Sequence, residues 1–196
     1  MTAKISPLLL LGASLLTLPA CASSGGAGGA APAAREQAAQ EDNVLIGPVT
    51  REQIEEKVPE WVQAEVEAAP DAEAAQALTG VEPGAEVTVF LGTWCGDSRR
   101  EVPRLWRALD EVGGEVPFAV QYIGVDRQKK EPAAAVAESD IHFVPTLIVT
   151  RNGREVGRIV ETSPNGVEKD LLALLTGKAQ GRISASQPEA APPAQR

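Results

Sequence analysis

The residue best equipped for covalent chemistry is Cys95, in the run Phe90-Leu91-Gly92-Thr93-Trp94-Cys95-Gly96-Asp97-Ser98, where a strand-like stretch gives way to a helix. A helix start presents unpaired backbone N–H groups and a partial positive charge, which favour thiolate, the nucleophilic form, over thiol. Ser98 is spaced to add a hydroxyl hydrogen bond to the sulfur. Arg99 and Arg100 add positive charge but Asp97 and Glu101 oppose them, so only the helix contribution has a definite sign. The bland alternative for a lone cysteine is a small buried core residue. His142, the sole histidine, stands three residues before Pro145 and reads as a loop residue, because a base must first reach its proton. No Cys, His, Asp and Glu spacing suggests a metal site, and no cofactor is expected.

Cys95 is one of two cysteines, and the other closes an export signal. Lys4 supplies a positive start and Leu8 to Leu18 an apolar stretch, broken by Gly12, Ser14 and Thr17, that is too short to span a bilayer. The run Leu18-Pro19-Ala20-Cys21 resembles the lipobox of bacterial lipoproteins. That resemblance implies cleavage before Cys21, a lipid on its sulfur and a membrane-anchored protein of the cell envelope. Ala22 after the cysteine implies outer-membrane sorting, with the domain facing the periplasm. The mature domain then holds one free thiol, and a cycle built on an internal dithiol is excluded by counting.

The chain divides into a signal peptide (1–20), the lipidated cysteine with a flexible tether (21–43), an N-terminal helical extension (44–80), a main domain (81–177) and a disordered tail (178–196). The tether and tail are dominated by Ala, Gly, Ser, Pro and Gln, which bury too little apolar area to offset the entropy of ordering. A formal net charge of −9 argues against nucleic acid or anionic lipid as partner, so membrane attachment rests on the lipid alone.

Thr50 and Gln53 have capping-box spacing and open an amphipathic helix that turns Ile54, Val58, Trp61, Val62 and Val66 toward the core, with a kink at Pro59. Trp61 and Trp106 fall among aliphatics at helical spacing and are assigned to packing. A second helical patch covers about Asp71 to Leu78. Glu86 to Leu91 reads as a buried strand, followed by a helix from Gly96 to Asp110 interrupted at Pro103. Pro117 to Val125 is a strand and Lys129 to Glu138 a helix, whose start explains Arg127, Lys129 and Lys130 as solvated charge. Thr146 to Thr150 and Glu155 to Val160 form a hairpin across Asn152-Gly153. Ser163 caps a last helix with Pro164 at its first position, and Gly177 stops it. This order implies an α/β domain with a central mixed sheet flanked by helices on both faces.

On these residues the chain resembles the thioredoxin-like superfamily over about Glu86 to Thr176. The shared features are Trp94-Cys95-Gly96 at the turn, Pro103 eight residues after the cysteine, Val144-Pro145-Thr146 opening the third strand, and Asn152-Gly153 in the hairpin. A closer likeness is to bacterial thioredoxin-family proteins with Trp-Cys-x-Asp-Ser, a basic pair and Glu-Val-Pro-Arg, here Ser98 to Arg104; Val125-Asp126-Arg127 and Arg158 to Glu161 extend it. The resemblance implies a cis Val144–Pro145 bond facing Cys95, an extended-substrate groove along Val144, Pro145 and Thr146, and a partly exposed Trp94 beside Gly96 at the thiol. Two features depart from the dithiol pattern: Ser98 stands where the second cysteine would be, and Val89 where a buried acid would be. Cys95-Gly96-Asp97-Ser98 is also similar to the Cys-Gly-Phe-Ser motif of cluster-sharing monothiol glutaredoxins, but Trp94 and Phe143 fit that family poorly.

Two function classes follow. In the first, Cys95 and Ser98 form the catalytic pair of a membrane-tethered monothiol protein that makes mixed disulfides with an exported client protein or a small thiol. In the second, the domain is a non-catalytic binding or assembly module of the cell envelope.

Overall fold

The computed structural model describes residues 43–113 and 115–185. The expected signal peptide, Cys21, most of the tether and residues 186–196 lie outside the described residues. The order opens with a short strand β1 (Gly47–Val49), then helices α1 (Arg51–Lys57) and α2 (Glu60–Glu67). Thr50 Oγ1 accepts from the Gln53 N–H and the Gln53 side chain accepts from the Thr50 N–H, so the capping box forms as its spacing predicts. Pro59 divides the two helices and Val58 leaves helical geometry, as the residue before a proline tends to. That break resets the helical phase: Ile54, Val58 and Trp61 are buried as expected, whereas Val62 and Val66 are exposed, correcting their assignment to the core.

Next come α3 (Ala72–Ala77), a 3₁₀ turn at Leu78–Gly80, β2 (Ala85–Leu91), α4 (Gly96–Glu111), β3 (Phe118–Gly124), α5 (Ala133–Glu138), β4 (Thr146–Arg151), β5 (Arg154–Val160), α6 (Val167–Leu175) and β6 (Gly181–Ile183). The strands form one sheet in the order β1-β3-β2-β4-β5-β6. β2 and β3 are parallel, joined through α4, while β4 runs antiparallel to both β2 and β5. Asn152 and Gly153 both take positive φ at the hairpin, as a two-residue type I′ turn requires.

The sheet has a core on each face because alternate side chains of a strand point opposite ways. Val87, Val89, Leu91, Leu147 and Val149 join Trp61, Trp106 and the apolar sides of α4 and α6. Phe90 and Ile148 face the other way, onto Val136 of α5, Ile141 and Val144. This is the expected thioredoxin-like α/β architecture, with Trp61 and Trp106 in packing roles. α4 runs on through Pro103 without interruption.

Three boundaries differ from expectation. The tail is not disordered from Lys178, because β6 pairs in parallel with Gly157–Ile159. Gly157 makes this approach possible: a Cβ there would lie 2.6 Å from the Gly181 carbonyl oxygen. β6 thereby covers what would otherwise be an open sheet edge. α5 begins at Ala133, not Lys129, because the Asp126 carboxylate accepts the N–H groups of Gln128, Lys130 and Glu131 and folds that stretch into a turn. α6 begins at Val167, with Gly166 (φ 98°) as its N-cap in place of Ser163.

Candidate active site at the start of helix α4

The antiparallel register sets Phe90 of β2 opposite Thr146 of β4, so the loop leaving β2 meets the residues entering β4 at one end of the sheet. Cys95 is the N-cap of α4, with extended backbone (φ −95°, ψ 126°) and a half-buried side chain. Its N–H donates to the Gly92 carbonyl at 2.9 Å, closing the turn. Its Sγ donates to the Val144 carbonyl at 3.2 Å, and the Val144–Pro145 peptide bond is cis. The thiol therefore stands between the amino end of a 16-residue helix and the cis-proline loop, a place where a helix dipole favours negative charge.

Trp94 flanks the thiol and is held from three sides. Its indole Nε1 donates to the Val125 carbonyl at 3.1 Å. The cationic groups of Arg127 and Lys129 both lie 5.6 Å from the centre of its ring, within cation–π range. On the third side Gly92 is required, since a Cβ there would come within 2.7 Å of the indole. Arg127 and Lys129 are thus not the solvated start of a helix, and no pattern in the sequence marked Gly92 as required. Thr93 ties down the N-terminal segment: its hydroxyl donates to the Asn43 carbonyl and accepts from the Leu45 N–H.

Ser98 is fully buried and its Oγ accepts from the Gly92 N–H at 3.2 Å, so it braces the turn that presents Cys95. Gly96 is exposed at the first position of α4. Val144, Pro145 and Thr146 lie beside the thiol, but their side chains are buried, and Thr146 Oγ1 donates to the Phe143 carbonyl. This loop exposes the Phe143 ring, over which Arg182 lies at 5.7 Å. His142 is exposed and pairs with Asp140 at 2.9 Å, in keeping with a loop residue. Val89 is wholly buried in the main core.

The charges on the first turn of α4, which oppose one another in sequence, are partitioned in space. Arg100 pairs with Asp97 at 2.8 Å and with Glu101 at 3.1 Å. Burial pushes the Glu101 carboxyl above its usual range in spite of Arg100. Arg99 makes no ion pair among the described residues, and with Gly96 it lines a recess of about 220 Å³ beside Cys95. Its lining also includes Val58 and Glu60 from the N-terminal extension, Asn43 just before that extension, and Arg127, which lies over the Trp94 ring. Sequence spacing gave no sign of this recess. Among the described residues no group of three or more His, Cys, Asp and Glu is placed to hold a metal.

The sequence is similar to thioredoxins at low identity. It is 27% identical over 96 residues to a thioredoxin-like protein of Acanthamoeba polyphaga mimivirus, a match covering 49% of this chain and 66%, just under two thirds, of that protein. A thioredoxin of Staphylococcus epidermidis is 29% identical over 84 residues, covering 43% of this chain and 75% of that protein. Thioredoxin-1 of Saccharomyces cerevisiae is 26% identical over 90 residues, covering 44% and 78%. No family profile matches the sequence. A crystal structure of a Pseudomonas aeruginosa protein of unknown function superposes with a TM-score of 0.47 at 16% identity, covering 64% of this chain and 86% of that one. Sheet order and the cysteine at the start of α4 give the chain a thioredoxin-like fold, and its sequence similarity to thioredoxins, at 26–29% identity, agrees with that fold.

Proposed function

We propose that the chain is a membrane-tethered monothiol thioredoxin-like protein of the cell envelope, anchored through Cys21, in which Cys95 forms mixed disulfides with exported client proteins or small thiols. The observation that carries this reading is the half-buried Cys95 thiol at the N-cap of α4, 3.2 Å from the carbonyl that precedes cis Pro145. In that position the thiolate attacks one sulfur of a client disulfide, the S–S bond breaks, and the departing client thiolate takes a proton from water. With Ser98 in place of a second cysteine, the mixed disulfide persists until an outside thiol resolves it.

The test is capture of disulfide-linked adducts from the cell envelope, resolved on non-reducing gels and released by reductant. Adducts are expected from the full chain and absent from Cys95→Ala; adducts that persist in Cys95→Ala overturn the mechanism. One observation favours a second reading, that of a binding module: Ser98 is buried and bound to the Gly92 backbone, a purely structural use of the position. On that reading partners bind equally to Cys95→Ala and are released without reductant.

A further inference from the structure

We infer that the recess beside Cys95 seats the resolving partner, a small thiol that carries both carboxylate and ammonium groups, as an amino-acid or short-peptide thiol does. The inference rests on the thiol-exchange reading above. The recess, at about 220 Å³, is smaller than pockets that take drug-sized ligands and suits a molecule of one or two residues. Its walls carry both signs of charge. Arg99 offers a planar fork suited to a carboxylate, Arg127 adds a second positive charge, and Glu60 offers a carboxylate suited to an ammonium. Neither Arg99 nor Glu60 makes an ion pair among the described residues, whereas Arg100, Arg104 and Arg107 of the same helix all do. Arg127 is positioned by its contact with the Trp94 ring. Val58 and Glu60 of the N-terminal extension and Asn43 just before it contribute to the lining, and the Thr93 bonds to Asn43 and Leu45 hold the start of that segment in place.

The chemistry balances with the small thiol as reductant. Once Cys95 is joined to a client sulfur, the seated thiol loses its proton and attacks Cys95 Sγ. The bond to the client breaks, and the client sulfur leaves as thiolate and is protonated. A second small thiol then attacks the Cys95 adduct, releasing a small symmetrical disulfide and the Cys95 thiolate. Two small thiols are oxidised for each client disulfide reduced.

The experiment uses the full chain with Cys21→Ser, which leaves Cys95 as the one thiol, and follows adduct formation by intact mass. The probes are cystine, cystamine, dithiodiglycolate and 2-hydroxyethyl disulfide, and each rate is divided by that of the same chain unfolded in urea, which removes intrinsic differences between disulfides. Cystine is expected to exceed 2-hydroxyethyl disulfide by about fivefold, the scale of one or two partly exposed charge pairs. Arg99→Gln with Arg127→Gln should lower that ratio toward one, Arg99→Lys should retain only part of it because the charge stays but the fork is lost, and Glu60→Gln should lower the cystine and cystamine ratios but spare dithiodiglycolate. Equal normalised rates for all four probes, or ratios unmoved by these substitutions, overturn the recess as a thiol seat while leaving exchange at Cys95 intact. A folded chain that reacts with none of the probes, although the unfolded chain reacts with all, overturns the exchange reading itself.

Discussion

Replacing Glu168 by glutamine tests what holds the helix that carries Cys95. The Glu168 side chain is fully buried, 0% exposed, and accepts from Arg104 Nε at 2.8 Å, from Arg104 Nη2 at 2.7 Å and from the Asp71 N–H at 3.0 Å. It thereby ties α4 to α6 and to the start of α3. Gly166 is adapted to this pair, because a Cβ there would lie 2.7 Å from Glu168 Oε1. Removing one partner of a fully buried pair costs about 3–5 kcal/mol. The Arg104 side chain is 30% exposed and can recruit water, and glutamine keeps the volume and one acceptor, so Glu168→Gln should cost about 2–3 kcal/mol. For a domain of this size that is a fall in Tm of roughly 6–12 °C. The pH dependence has a definite sign. Burial raises the Glu168 carboxyl pKa, but the bonds from Arg104 and from the Asp71 N–H outweigh it and leave the net value below the usual range. A carboxyl depressed in the folded state contributes its stability above the unfolded-state value, about 4.3, and loses it as pH falls through the lower folded value. Urea unfolding at pH 7 and again below pH 4 should therefore show the gap between parent and variant narrowing in acid. A gap below about 0.5 kcal/mol at pH 7, within the range of ordinary surface changes, or one that does not narrow in acid, refutes the pair as the tie.

Two further substitutions probe the turn itself. Gly92→Ala forces a methyl group against the Trp94 indole and should cost about 1–3 kcal/mol in urea unfolding, with loss of the Trp94 bond to Val125 and slower adduct formation at Cys95; unchanged stability and rate would show that the indole is free to move aside. Ser98→Cys puts a sulfur one helical turn from Cys95, and the new sulfur should close a disulfide with Cys95, seen as loss of two hydrogens by mass, and confer insulin-reducing activity. The Gly92 N–H exchanges an oxygen acceptor for a weaker sulfur, a cost of about 0.5–1.5 kcal/mol in the reduced form. If no such disulfide forms under oxidising conditions, the first turn of α4 does not present the two positions together.

The parts of this molecule that were legible in its sequence are those governed by near neighbours along the chain. Thr50 and Gln53 make their box because both bonds are local, and Asn152-Gly153 turns because the required φ values belong to those two residues. Cys95 could be placed at a helix start for the same reason. Local rules failed where a partner distant in the chain decides the outcome. β1 and β6 are three residues each, too short for an apolar period, and exist because the edges of β3 and β5 accept them. Val62 and Val66 follow the spacing of Ile54 and Val58, but the break at Pro59 lets α2 set its own phase against the core. The charges beside the thiol show the same limit most sharply. Two arginines and two acids within five residues sum to nothing in sequence, yet in space Arg100 engages both acids and Arg99 is left facing the recess. The field around Cys95 is therefore set by how those charges are shared out, and by Glu60 and Arg127, which come from before and after Cys95 in the sequence.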